Sequence, residues 1–168
     1  MARAQLIITP WQAACKAGFG WAMGNASANI DTGDTVIMVR NDNESRPFYI
    51  QAVGAGTEDK GEVVVHRVTA TYTAAGTAIT PVNMRPGFKV QTSELTCFGD
   101  ESGNTQGDII AKFGLSSVTT DENRDSKELV FNGGLILDPG QAVGLDIVGE
   151  PELVHGYIWG YFDIEDAS

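Results

Sequence analysis

The stretch from Leu129 to Ile164, LVFNGGLILDPGQAVGLDIVGEPELVHGYIWGYFDI, constrains the fold more than any other part of the chain. Three apolar runs are separated by two turn signals. In Asp138-Pro139-Gly140, Pro presets φ at one corner and Gly accepts positive φ at the next. Gly149-Glu150-Pro151 supplies the second reversal. The middle run alternates, with Val143, Leu145 and Ile147 on one face and Ala142, Gly144 and Asp146 on the other. This predicts an antiparallel meander with one face in a core, in which Val143, Leu145, Ile147, Ile158 and Phe162 are buried. The last run is apolar on both sides: Val154, Ile158, Phe162 and Ile164 share one face, and Tyr157, Trp159 and Tyr161 crowd the other. Such a strand needs cover on both sides. One cover is the protein's own core, and the expected second is another subunit or a larger partner.

Bulk properties narrow the function classes. A chain of 168 residues buries a real core as one domain. No run reaches the ~20 apolar residues of a membrane-spanning helix. The start, MARAQLIITPWQAACKAG, lacks the pattern of a signal peptide, so synthesis in a host cytoplasm and no membrane partner are expected. Eleven basic against 22 acidic residues give a formal charge of −11, the wrong sign for tracking phosphates, so no nucleic-acid partner is expected. Cys15 and Cys97 are the only cysteines, in no metal or redox spacing, and read as small apolar side chains. Twenty glycines interrupt nearly every window in which a helical period could develop.

In chain order, Ala4–Thr9 reads as a short strand, and Thr9-Pro10 as a helix start with Thr at the N-cap and Pro at the first position. The helix runs from Trp11 to Ala17, with Gly18 as its C-cap. The following GFGWAMGNASAN is too apolar for a disordered tail and too irregular for a core strand. It reads as an arm that docks on something, or as a segment whose Phe19, Trp21 and Met23 cap the chain's own core. From Asp34 onward candidate strands follow at intervals of about 8–14 residues: Thr35–Arg40, Pro47–Val53, Glu62–Thr73, Ala78–Thr80, Phe88–Phe98 with a bulge between Val90 and Leu95, and Asp108–Leu115. The expected fold is all-β: a single antiparallel β-sandwich, jelly-roll-like, at 29–168, preceded at 1–28 by an irregular N-terminal arm with a short helix.

Constellations that carry chemistry are scarce. Asp31-Thr32-Gly33 matches the tripeptide of aspartic proteases, but one copy requires a symmetric dimer to pair carboxylates, and Asp34 replaces a small residue. A turn before the Thr35 strand accounts for the same letters. Three oxygen-rich segments, Asn41–Glu44, Asp100–Asp108 and Asp121–Asp125, offer calcium donors without EF-hand spacing. Asp100, Glu101, Asn104 and Asp108 are the densest set, and polar turn residues explain them equally. His66 and His155 stand alone in predicted strands, outside any nucleophile or metal motif. No catalytic residue, cofactor or metal site is therefore assigned, and a non-enzymatic protein is expected. Tyr157, Trp159 and Tyr161 suit a subunit interface, where aromatics are enriched. A sugar-stacking platform is the alternative.

Thr80, Pro81, Asn83, Leu137, Pro139, Gly140, Leu145 and Trp159 carry a likeness. From Thr77 to Asp163 the chain resembles small β-sandwich structural proteins of tailed bacteriophages, especially capsid decoration (cement) proteins. That resemblance implies a virion protein that binds the outer capsid surface and stabilises the shell. It implies the major capsid protein and self, as a homotrimer, as partners. Trp11, Phe19 and Trp21 are then the expected anchors of a capsid-binding arm, and Tyr157, Trp159 and Tyr161 the subunit contacts. The alternative is a phage tail, fibre or baseplate sandwich that binds a host glycan.

Overall fold

The computed structural model describes residues 8–28, 30, 34–58, 60–69, 76–87, 93–116, 125–149 and 153–164. Its elements are helix α1 (Pro10–Ala17) and strands β1 (Gly20–Ala28), β2 (Thr35–Asn41), β3 (Phe48–Thr57), β4 (Gly61–Val68), β5 (Thr77–Ala78), β6 (Val82–Asn83), β7 (Leu95–Glu101), β8 (Gln106–Leu115), β9 (Asp125–Leu137), β10 (Ala142–Val148) and β11 (Leu153–Phe162). Sheet A has the order β6-β1-β11-β3-β9, and sheet B the order β5-β7-β2-β10-β4-β8.

The pairing defines the topology. Leaving aside β5 to β7, the first strand pairs with the last, and pairing then works inward: β1 with β11, β2 with β10, β3 with β9, β4 with β8, all antiparallel. The pairs β11–β3 and β10–β4 roll this long hairpin into two sheets. That is a jelly roll, as the sequence predicts.

The C-terminal runs do not form a meander. Consecutive strands β9, β10 and β11 lie in sheets A, B and A, so none pairs with the next. The Asp138–Gln141 turn is as tight as expected, with Gly140 at φ 80. It carries the chain across the sandwich rather than back along one sheet. Asn41 pins the crossing: its Nδ2 donates to the Leu137 carbonyl at 2.9 Å, and its own carbonyl accepts from Gly140 N at 2.8 Å. Period-two alternation sets which face a side chain takes; it is silent on which strand lies alongside.

The inner faces meet in one cluster. Ile37, Val39, Val63, Val65, Val143, Leu145 and Ile147 of sheet B pack with Trp21, Met23, Phe48, Ile50, Val53, Val154, Ile158 and Phe162 of sheet A. The five residues predicted for the core are all in it. Burying each such side chain contributes about 1.5–3 kcal/mol.

The N-terminal segment differs from a free arm. α1 starts as predicted: Thr9 Oγ1 accepts from Gln12 N at 3.2 Å, and Gln12 Oε1 from Thr9 N at 3.1 Å, a capping box. Gly18 closes it in the left-handed conformation at φ 84. Residues 20–28, expected within the arm, instead form β1 and pair with β11 from Gly20↔Tyr161 to Ala28↔Leu153. The physical reason is an alternation masked by small residues: Trp21 and Met23 point into the core, and Ala22, Gly24 and Ala26 point out. Trp21 is 3 % exposed and has no surface to offer as a capsid anchor. The alternative of a cap on the chain's own core is the one found.

Candidate functional site: the outer face of sheet A

Register places four strands side by side on the face turned away from the core. One row reads Ala22, Trp159, Ala52 and Val130 across β1, β11, β3 and β9. The next reads Gly24, Tyr157, Gly54 and Glu128, and a third Ala26, His155, Gly56 and Ser126. At the other end stand Gly20, Tyr161, Tyr49 and Ile136. Tyr157, Trp159 and Tyr161 therefore do share the outer face, as predicted. The neighbours of Tyr157 and Trp159 are small on both sides, so β11 rises as an aromatic ridge between two shallow strips.

The ridge is built into the sheet. A Cβ at Gly54 would lie 2.2 Å from Tyr157 Cζ, so the ring rests where a side chain would otherwise stand. Its hydroxyl reaches over β3 to donate to Glu128 Oε2 on β9 at 2.9 Å. Burial, then that hydrogen bond and the Glu128 charge, push the Tyr157 phenol up to about 12. Trp159 stacks beside it, with ring centroids 5.2 Å apart. On the β1 side the strip of Ala22, Gly24 and Ala26 is partly open, and a Cβ at Gly24 would meet nothing closer than 3.7 Å.

Tyr161 behaves differently from the other two. It is 5 % exposed, stacked on Tyr49 at 5.3 Å and covered by Trp11 of α1 at 5.9 Å. Burial raises its phenol pKa, helped by Asp163 and Tyr49. Gly133, at φ 78, leaves the room its hydroxyl occupies. Gly20 lets α1 lie close, since a Cβ there would stand 2.4 Å from Cys15 Sγ. The second cover that β11 needs is thus supplied by the chain itself at the Tyr161 end, while Tyr157 and Trp159 keep part of their surface exposed. Phe19 packs against the core with the Arg46 guanidinium over its ring at 5.3 Å, a cation–π contact. All three expected arm anchors, Trp11, Phe19 and Trp21, touch the chain's own sandwich.

The other candidates disperse. Asp31-Thr32-Gly33 lies outside the described residues, as do 121–124. Around the 100–108 loop, Asp100 Oδ1 accepts from Asn25, buried Glu101 accepts the Gly76 and Gly103 amides, and Asn104 donates to Thr35. Asp108 is exposed. These donors serve backbone and neighbours and do not converge. Among the described residues no group of three or more His, Cys, Asp or Glu is placed to hold a metal. Sequence reasoning missed the role of Gly54 and of the Ala22, Gly24, Ala26 strip. Their signal was present in the alternation of small with large residues in GWAMGNASA.

No family model and no curated protein matches the chain. Among solved structures, the globular domain of zebrafish complement 1qA protein is similar over 85 % of this chain and 95 % of that one, at 11 % identity and a TM-score of 0.36. So distant a likeness carries no weight beside the strand pairing above and says nothing of function.

Proposed function

We propose that this chain is a non-enzymatic structural protein that associates with itself through the outer face of sheet A and acts in a virion as a capsid decoration protein. The observation that carries the self-association is the ridge of Tyr157 and Trp159 standing beside the strip of Ala22, Gly24 and Ala26. Ridge and strip lie side by side on one face, so a neighbouring copy presents a strip to this ridge and a ridge to this strip. A mutual contact of that kind is isologous and pairs two copies about a two-fold axis; the homotrimer is what the phage resemblance implies. Four strands about 4.8 Å apart and a ten-residue strand of about 33 Å give a face of roughly 630 Å². Part of it is already covered by Trp11 at the Tyr161 end, so the contact falls short of the ~800 Å² per partner of a standard interface and belongs to the small class. The capsid role rests on the resemblance carried by Thr80, Pro81, Asn83, Leu137, Pro139, Gly140, Leu145 and Trp159.

Sedimentation and light scattering of the wild type and of Trp159→Glu test the reading. A wild-type oligomer that becomes a folded monomer on substitution, and loses capsid binding, supports it. A wild type that stays monomeric at tens of micromolar, or a variant that stays assembled, overturns it. Binding on a glycan array that Trp159→Glu abolishes would favour the glycan reading instead.

A further inference from the structure

We propose that the buried His66–Asp146 pair is an acid-tightened latch that clasps the Asn104–Gln106 turn onto the outer face of sheet B. His66, on β4, has no exposed surface. Its Nδ1 lies 2.8 Å from the Arg67 carbonyl oxygen. Its Nε2 lies 2.9 Å from Asp146 Oδ1 on β10, at an angle that makes the contact an ion pair rather than an aligned hydrogen bond. A carbonyl and a carboxylate both only accept. A neutral imidazole turns one lone pair on one of them; the imidazolium alone offers a proton to each.

Asp146 passes this charge state to the turn. Its Oδ1 also accepts from Thr35 Oγ1 at 2.8 Å, and its Oδ2 from Gln106 Nε2 at 3.3 Å. Asn104 Nδ2 donates to Thr35 Oγ1 at 2.7 Å. One carboxylate therefore gathers β2, β4, β10 and the segment that enters β8. Gly144 keeps the space free, since a Cβ there would lie 3.0 Å from both His66 Nε2 and Thr35 Cγ2. Asn104 Oδ1 is buried without a hydrogen-bond partner among the described residues, so the turn is not held by saturated bonds of its own.

The other charged groups on the surrounding elements are turned elsewhere. Glu101 on β7 accepts from the Gly76 and Gly103 amides at 3.2 and 2.7 Å. Glu62 on β4 pairs with Lys112 on β8 at 2.8 Å, one register step beyond Val64. Asp108 on β8 is exposed, and Arg40 on β2 pairs with Asp42. The Arg67 side chain alternates to the opposite face, beside Leu135 and Leu137. The charge that meets the ring is Asp146.

The direction of the response follows. Burial pushes the His66 pKa down, but the Asp146 contact, the Arg67 carbonyl and the Asp146 charge outweigh it, and the net shift from 6.5 is upward. A raised folded value means that the folded form binds the extra proton more tightly. The stabilisation is complete below about 6.5 and fades as pH rises through the folded value. Acid closes the latch and alkali loosens it.

Two readouts on the full chain test this: the ring ¹⁵N titration of His66, and exchange of the Thr69 and Gly103 amides from pH 6 to 9. Thr69 N donates to the Thr105 carbonyl at 3.2 Å, so both amides report on the turn. The ring should stay doubly protonated above pH 6.5. Protection, corrected for intrinsic exchange, should fall by up to about tenfold per pH unit across the titration, and His66→Gln should flatten that dependence. A ring that is neutral at pH 6.5, or a dependence unchanged in His66→Gln, overturns the latch. The wild-type ring titration decides the matter even where His66→Gln does not fold.

Discussion

Replacing Gly54 by Ala isolates how the aromatic ridge is seated. The new Cβ would stand 2.2, 2.4 and 2.6 Å from Tyr157 Cζ, Oη and Cε1. Reaching ordinary contact at about 3.4 Å lifts the ring by roughly 1.2 Å. The lift breaks the hydrogen bond to Glu128, about 1 kcal/mol on a half-exposed surface, and loosens the Trp159 stack, about 0.5–1.5 kcal/mol. Against this, Ala in a strand recovers about 0.5–1 kcal/mol of backbone entropy relative to Gly. With residual overpacking the net loss is about 2 kcal/mol, which for a chain of this length lowers Tm by about 4–8 °C. Thermal unfolding measures it, and a spectrophotometric titration should find the Tyr157 phenol falling back from about 12 as the ring leaves its seat. The Tyr157→Ala background is the control: with no ring to displace, Gly54→Ala should cost nothing there, giving a coupling of more than about 1 kcal/mol. Equal stability of Gly54→Ala and wild type on both backgrounds would refute the seating argument.

Two further outcomes follow from burial. Trp21→Ala should cost about 3–5 kcal/mol as a core truncation, and deleting residues 1–24 should leave a chain without cooperative unfolding by circular dichroism; a deletion product with a sharp transition would show that β1 is dispensable. Burial raises Cys15 to about 11, and burial together with the Asp42 charge raises Cys97 to about 12. At pH 8 both thiols should react with a disulfide reagent at least ~100-fold more slowly than a free thiol until the protein is unfolded, and rapid native labelling of Cys97 would contradict the packing described.

Some of this architecture is legible in a single sequence. The caps of α1, the Asp138–Gly140 turn and the inward faces of β10 and β11 follow from local rules, because each depends on a few adjacent residues. The placement of β9, β10 and β11 in alternating sheets does not, since the same alternation suits a meander. β1 hid behind its outward Ala22, Gly24 and Ala26, which thin the apolar signal that Trp21 and Met23 provide. The aromatic face was readable from Tyr157 and Trp159, but the covering of Tyr161 by Trp11 joins residues far apart in the chain. The His66–Asp146 network likewise draws on β2, β4, β10 and the turn before β8, and no window of sequence contains it.

The pairing of β1 with β11 also sets when this protein can fold. Gly20 must wait for Tyr161, the strand partner that leaves the ribosome 141 residues later. At about 5–20 residues per second that is roughly 7–28 s, during which β1 lacks its long partner and has only the two-residue β6 to pair with. Among the four pairs of the long hairpin, β4 with β8 becomes available before β3 with β9, β2 with β10 and β1 with β11, so that hairpin closes from its centre outward. Trp21 and Met23 spend that interval as unsatisfied apolar surface, the period when a chaperone would have something to hold.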